Sequence, residues 1–220
     1  MIHPSTELRY ISDAIGYGVV ATAPIPCGTI VWVRDAFDVT ITPARYAALA
    51  PEYRAILRKY AYIDRRGHYV LCWDLARYMN HSCEANCLSP GYEFELAVRD
   101  IAPGEQLTGE YGALNLEAHM ECRCGSPRCR GIIRPDDVVR YAAEWDAQLQ
   151  AAIAHLRAVP QPLWPLVREK REIELALADP TRLASIRCHY RAPLAERMQR
   201  AVRRCAGGRG GGRPRRAGLG

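Results

Sequence analysis

The hydrophobic pattern of the chain changes its period once. Over the first 134 or so residues, apolar positions come in short runs divided by turn residues. Val19-Val20-Ala21 lead into the turn Ala23-Pro24-Ile25-Pro26-Cys27-Gly28, and Thr29-Ile30-Val31-Trp32-Val33 is β-branched and aromatic, as strands prefer. Tyr60-Ala61-Tyr62-Ile63, a turn at Arg65-Arg66-Gly67 and Tyr69-Val70-Leu71-Cys72-Trp73 repeat the scheme. Phe94-Glu95-Leu96-Ala97-Val98 alternates with a period of two and ends at Asp100-Ile101-Ala102-Pro103-Gly104. Between them, an Ala/Leu/Tyr pattern over residues 43–60, opening on Thr42-Pro43, predicts a short helix. After Pro135 the period becomes helical. Asp136 and Asp137 stand as caps before a stripe of Val138, Val139, Ala142, Trp145, Leu149, Ile153 and Leu156. Pro160, Pro162 and Pro165 break that helix, and two or three more are expected between Val167 and Arg203, divided near Asp179-Pro180 and Ala192-Pro193. No segment repeats another.

With 49% hydrophobic and 25% charged residues over 220 positions, the chain has the composition of a packed domain with an appendage. No signal-peptide pattern opens it and no stretch approaches 18 uncharged apolar residues, so an intracellular protein with no membrane contact is expected. The net charge of +6 equals the six arginines of the tail 203–220, which holds no acid, so residues 1–202 are formally neutral. A neutral body excludes a basic nucleic-acid platform. The Gly-Arg-Pro-Arg-Arg run of the tail resembles an AT-hook core and could contact DNA, while the plainer reading is a disordered, solubilising Gly/Arg-rich end from residue 205. Nine cysteines, three of them within eight positions, fit metal ligation better than a secreted disulfide framework.

Candidate chemistry gathers in three segments: Arg77-Tyr78-Met79-Asn80-His81-Ser82-Cys83-Glu84-Ala85-Asn86, then Gly104-Glu105-Gln106-Leu107-Thr108-Gly109-Glu110-Tyr111-Gly112, then Cys122-Arg123-Cys124-Gly125-Ser126-Pro127-Arg128-Cys129. Each alone is weak, since Asn-His-Ser is a common turn and three cysteines lack a fourth ligand. In this order they resemble the R-F-x-N-H-S-C-x-P-N, G-E-E-L-T-x-D-Y-G and post-SET C-x-C-x4-C motifs of the SET family of protein-lysine methyltransferases. Upstream, Gly16-Tyr17-Gly18-Val19-Val20-Ala21 resembles the family's G-W-G-V-x-A opening, so the resemblance covers about residues 8–132.

The resemblance implies a mostly β SET fold, small curved sheets around a threaded pseudoknot, followed by a C-terminal helical region. It divides the chain into a SET domain at 1–116, a post-SET zinc-binding segment at 117–134, a helical appendage at 135–204 and the tail at 205–220. The implied reaction moves a methyl group from S-adenosylmethionine to the ε-amine of a lysine in a protein or peptide, with histone tails the family's commonest substrates. A non-catalytic SET module serving as a chromatin- or protein-binding scaffold is the alternative, and the chain is expected to be a monomer or a homodimer. A lysine ammonium, with a pKa of about 10.4, has no free lone pair, so the reaction needs a neutral amine aligned at near-attack distance. Tyr111, as the family's invariant tyrosine, would orient that amine at the end of an apolar channel. Either it or solvent would act as the base. Tyr60 or Tyr62 is the candidate second channel ring, Tyr60 being nearer to the family's second channel tyrosine, with plain core packing as the other reading of either. Ile15, Gly16, Tyr17, Arg77, Asn80, His81 and Tyr111 would hold the cofactor. Structural zinc wants four ligands; the family's pattern gives Cys83, Cys122, Cys124 and Cys129, with Cys87 as an alternative fourth, and would let Ile132 and Ile133 wall the channel.

The departures from the pattern also carry expectations. Glu110 stands for the usual aspartate, one methylene longer. Gly109 stands where many members have a ring that limits room beside the amine, so di- or trimethylation is expected unless another ring fills the gap.

Overall fold

The first strand, β1 (Thr6–Ser12), folds back on β2 (Gly16–Ala21) as an antiparallel hairpin, with Tyr10 opposite Tyr17. The tight return needs Gly16 at φ 81°, a conformation that costs a residue without a Cβ little. β3 (Ile30–Val33) is buried along its whole length. After β4 (Val39–Ile41), the single helix expected over 43–60 is two: α1 (Pro43–Ala47), capped by the Thr42 hydroxyl, and α2 (Pro51–Tyr60). Pro51 is the reason, since the residue before a proline is driven out of the helical region and Ala50 lies at ψ 151°. Tyr60 is accordingly the last residue of α2 and not the first of a strand; the strand β5 is Ala61–Ile63. It pairs with β6 (Tyr69–Leu71), which also pairs with β4.

Downstream, β7 (Asn80–His81), β8 (Cys87–Leu88), β9 (Phe94–Ala97) and β10 (Thr108–Gly109) are short. β9 is the centre of the sheet β3-β9-β8, and its two faces look into different clusters. Phe94 and Leu96 pack with Ile30, Val33 and Leu88, whereas Ala97 joins Trp32, Cys72, Cys87, Ile101 and Leu107. β11 (Met120–Glu121) and β12 (Ile132–Ile133) form an antiparallel hairpin whose long loop carries Cys122, Cys124 and Cys129. The result is a set of small, mostly antiparallel sheets, as expected.

The helical stripe after Pro135 forms α3 (Asp137–Ile153), in which Val138, Ala142, Trp145, Leu149 and Ile153 are buried. These side chains share one core with Phe94 and Leu96 of β9, so α3 lies directly on the sheet. Asp136 takes the N-cap position without a side-chain cap bond; its carboxylate accepts from Arg140 instead, at 2.8 Å. α4 (Lys170–Ala178) follows, then two short 3-10 turns at Pro180–Arg182 and Ile186–His189. Residues 1–190 form one compact unit. The structure, a computed structural model, describes residues 1–192; the expectations for a break at Ala192-Pro193, for helix up to Arg203, and for Cys205 and the arginine-rich tail lie outside the described residues. No helix among the described residues is long and apolar enough to cross a membrane.

Candidate functional site

The site is built on a parallel crossing. β7 and β10 run side by side, Asn80 opposite Thr108 and His81 opposite Gly109, although 28 residues separate them in sequence. Side chains of the same two segments make the crossing rigid. Asn86, fully buried, accepts from the Thr108 amide at 2.8 Å and donates to the Gln106 carbonyl at 2.8 Å. The Ser82 amide donates to the Gly109 carbonyl at 3.3 Å. Past β10 the chain turns at Tyr111, whose amide donates to His81 Nδ1 at 3.2 Å and whose hydroxyl donates to the Met79 carbonyl at 2.7 Å. Asn80, His81 and Tyr111 are therefore neighbours.

Burial, with a contribution from the Glu95 carboxylate, pushes the Tyr111 hydroxyl up to about 12, so it is protonated across the neutral range. Its single proton goes to Met79, and its lone pairs are free to accept. Tyr60 stands one contact away: its ring packs edge-on against Tyr78 at 5.4 Å, and Tyr78 precedes Met79. Gly109, two residues before Tyr111, is buried, yet a Cβ added there would meet nothing within 4 Å, so the space a larger side chain would begin to fill is open.

Beside the crossing, Ile15 and Tyr17 form an exposed shelf, at 48% and 52% of their surface. Asn80 ties the shelf to the crossing, its Nδ2 donating to the Tyr17 carbonyl at 3.1 Å and to Gln106 Oε1 at 3.0 Å. Gly18 permits this approach, because a Cβ there would lie 2.7 Å from Asn80 Nδ2 and 2.5 Å from Gln106 Oε1. An exposed aromatic and aliphatic ledge thus lies next to the half-buried Asn80 amide. Arg77 faces differently: its guanidinium donates to the Trp73 carbonyl at 2.6 Å and the Asp74 carbonyl at 3.2 Å, and lies over the Tyr78 ring. Those partners make it a support of the turn that holds Tyr78 and Met79.

The thiols converge under His81. Cys83 Sγ and Cys129 Sγ each lie 3.7 Å from Cys122 Sγ. Four thiolates on one tetrahedral zinc, with zinc–sulfur bonds of about 2.3 Å, would sit about 3.8 Å apart. His81, Cys83, Cys122 and Cys124 place one ligand atom each within 4.8 Å of one another, with His81 Nε2 at 3.3 Å from Cys83 Sγ. Burial first, and the Arg130 charge second, lower the imidazole to about 4, so it is neutral, and with Nδ1 accepting from the Tyr111 amide its one N–H, on Nε2, faces the Cys83 sulfur. The Arg130 amide points at Cys83 Sγ at 3.3 Å and the Cys83 amide at Cys124 Sγ at 3.5 Å, donors suited to sulfur carrying negative charge. Although burial opposes it, backbone and thiol hydrogen bonds bring the Cys124 thiol down to about 7. The donor set fits zinc. Cys87 lies elsewhere, fully buried in β8 with its thiol donating to Asn86 Oδ1. The other described cysteines, Cys27, Cys72 and Cys188, are free thiols outside this cluster.

A buried ion network joins the sulfur loop to the crossing. Arg130 donates to Glu110 Oε1 at 2.6 Å, lies 3.7 Å from Asp137 Oδ2, and covers the rings of Tyr141 and Trp145 at 5.1 and 5.7 Å. The added methylene of Glu110 lets one carboxylate reach Arg130 while also accepting from the Gly112 amide at 2.8 Å. Of the two isoleucines after the loop, Ile133 is fully buried and Ile132 is exposed, so only Ile132 is free to face a ligand.

Four contributors stand outside the sequence-level site: Gly18, Gln106, Arg130 and Glu95. Gly18 and Gln106 lie inside the quoted motifs and Arg130 directly follows one, but nothing local marks them. Glu95 was concealed by an alternation that matches a strand with one wet face.

The SET domain family model matches residues 16–112 of this chain. Among curated proteins, the histone-lysine N-methyltransferase ATX2 of Arabidopsis thaliana is 36% identical over 90 residues, which are 38% of this chain and 8% of that protein. The H3 lysine-36 specific histone-lysine N-methyltransferase of Schizosaccharomyces pombe is 30% identical over 141 residues, 56% of this chain and 17% of the relative. The histone-lysine N-methyltransferase ash1 of Drosophila melanogaster is 28% identical over 155 residues, 60% of this chain and 6% of its own length. The chain thus spans less than a fifth of these relatives.

Proposed function

Because residues 16–112 belong to the SET-domain family, we propose that this protein is an S-adenosylmethionine-dependent protein-lysine methyltransferase, with histone tails as its first candidate substrates. The observation that carries the reading is the meeting of Asn80, His81 and Tyr111 across the β7–β10 crossing, with open space at Gly109, two residues before Tyr111. When bound, S-adenosylmethionine supplies an electrophilic methyl group on a positively charged sulfur. The residues of the chain do the rest. Ile15, Gly16 and Tyr17 offer the ledge, and Asn80 with Gln106 fixes its backbone. Tyr111, already donating to Met79, can only accept, so it orients a substrate amine through one of that amine's own N–H bonds. Tyr60, edge-on against Tyr78, packs on the residue that precedes Met79. Apolar walls exclude water and disfavour the ammonium form of the incoming lysine.

Zinc would be held by Cys83, Cys122, Cys124 and Cys129, with His81 beside the quartet and bonded back to the Tyr111 amide. Its role is structural. Held there, it would staple the 122–129 loop to the segment that carries Asn80, His81 and Cys83.

The names of the relatives point to histones, and an open position at Gly109 favours products beyond monomethyl-lysine. The deciding experiment incubates the zinc-replete protein with tritiated S-adenosylmethionine and core histones, then maps the label by mass spectrometry. Wild type is expected to label a histone lysine, with di- or trimethyl product under excess cofactor. Tyr111→Phe, folded by circular dichroism, is expected to lose roughly 100-fold in rate, the scale of one positioned hydrogen-bonding group in a reaction centre. Equal rates for the variant and the parent would refute the reading.

A further inference from the structure

Glu95 does not behave as a surface carboxylate. It sits in β9 directly opposite Trp32 of β3, and cross-strand partners point to the same face of a sheet. That face is the apolar cluster of Trp32, Cys72, Cys87, Ala97 and Leu107, against which Tyr62, Tyr78 and Met79 pack. Within it, Glu95 Oε2 is buried and has no hydrogen-bond partner, and the Trp32 indole N–H is buried and equally unpartnered. No described cation pairs with the carboxylate. Trp32 itself stacks edge-on with Tyr62 at 6.0 Å. Met79, on the rim of this cluster, receives the Tyr111 hydroxyl. A buried acceptor without a partner is costly in a native fold and is retained where a ligand or a proton completes it.

Resting on the methyltransferase reading, we propose that the Glu95 carboxylate receives the proton that the substrate lysine must lose before methylation. In this step an N–H bond of the ε-ammonium breaks, its electron pair stays on nitrogen as the lone pair, and an O–H bond forms on Glu95. Two buried charges become a neutral amine and a neutral acid, and the proton later leaves Glu95 for solvent. Tyr111 does not serve here, because its hydroxyl, pushed up to about 12 and donating to Met79, is a neutral phenol near pH 7 and a far weaker proton acceptor than a carboxylate.

The physical balance has two sides. A carboxylate beside an ammonium favours the ion pair, which in water would hold the proton on lysine. In an apolar pocket two opposed charges are poorly solvated, and a cationic sulfur nearby further disfavours the ammonium, so the neutral pair becomes competitive. Burial alone raises the Glu95 carboxyl to about 7, which brings it toward the amine. The groups that act on it or face it are Cys72 after β6, Cys87 of β8, Tyr111 after β10 and Tyr62 of β5; burial holds these two thiols and two phenols above their ordinary values, hence neutral near pH 7.

Two measurements test the assignment. In the zinc-replete protein labelled with carbon-13 glutamate, the carboxyl resonance that disappears in Glu95→Gln is expected to titrate near pH 7. A midpoint in the ordinary glutamate range would overturn the proposal whatever the activity. In the histone assay, Glu95→Gln is expected to reduce kcat roughly 100-fold near pH 7.5, with KM for histone within twofold. That deficit should shrink toward pH 9.5, where lysine deprotonates without help, and Glu95→Asp should recover part of the rate. A Glu95→Gln profile parallel to that of the active parent at every pH ends the proton-acceptor role and leaves the methyltransferase reading standing. A parent that labels neither histones nor its own Lys59 and Lys170 ends both.

Discussion

At the scale of single residues, the interior of this protein holds a carboxyl group that destabilises it as the pH rises. An unfolded glutamate releases its proton near 4.5, whereas Glu95 in the fold releases it near 7. Between those values the folded state binds more protons than the unfolded one, so stability falls with increasing pH across this window, by about 3 kcal/mol in all. Urea unfolding is expected to find Glu95→Gln similar to the parent at pH 4.5 and more stable by about that amount at pH 8, an unchanged difference being the contrary result. Such a residue was not legible in the sequence. Phe94-Glu95-Leu96-Ala97 reads as an ordinary strand with one solvated face, and only the packing of α3 against one face of β9 and of the Cys72 and Leu107 cluster against the other covers both. By contrast, Asn80, His81 and Tyr111 were identifiable because their motifs occur in order, and the fold brings them together. Arg77 shows the limit of such reading: its position in the motif is unambiguous, but its hydrogen bonds go to backbone carbonyls.

Among the elements, the junction between the sulfur loop and α3 depends on Arg130. Its side chain is only 12% exposed and its partners Glu110 and Asp137 are 2% and 1% exposed. Removing the cation would leave two carboxylates buried with no counter-charge, which costs about 3–5 kcal/mol where such pairs have been broken. Arg130→Ala is expected to lower the unfolding free energy by that amount and to weaken zinc retention during dialysis, because the side chain anchors to Glu110 and Asp137 the backbone whose residue-130 amide donates to Cys83 Sγ. Stability within about 0.5 kcal/mol of the parent would show that the network contributes little. Element boundaries were legible where hydrophobic period and caps agreed, as in α3, whose buried positions match the stripe. They failed at Pro51, where one proline divides a helical pattern and moves Tyr60 from strand to helix end.

For the molecule as a whole, α3 cannot be treated as a detachable appendage. Trp145, Leu149 and Ile153 share the cluster of Phe94, Leu96 and Ile30, and each fully buried side chain of this size contributes about 1.5–3 kcal/mol. A chain ending at residue 134 would expose that apolar face of the central sheet. It is expected to be aggregated or unfolded in gel filtration and circular dichroism, while a chain ending at residue 192 should remain folded; a soluble, cooperatively melting 1–134 fragment would contradict this. The sequence shows a change of period at Pro135 and therefore suggests a boundary, but period alone does not reveal which apolar faces meet.

The parallel crossing of β7 and β10 also has a meaning in time. A ribosome delivers Asn80 and His81 well before Thr108 and Gly109, and adjacent parallel strands cannot zip together from a tight turn between them. The nascent polypeptide must keep that early stretch waiting until its later partner emerges, and the thiols of the 122–129 loop come later still. The crossing therefore closes only after residues 108 and 109 have emerged, so a product terminated before them would leave Asn80 and His81 without the strand they pair with.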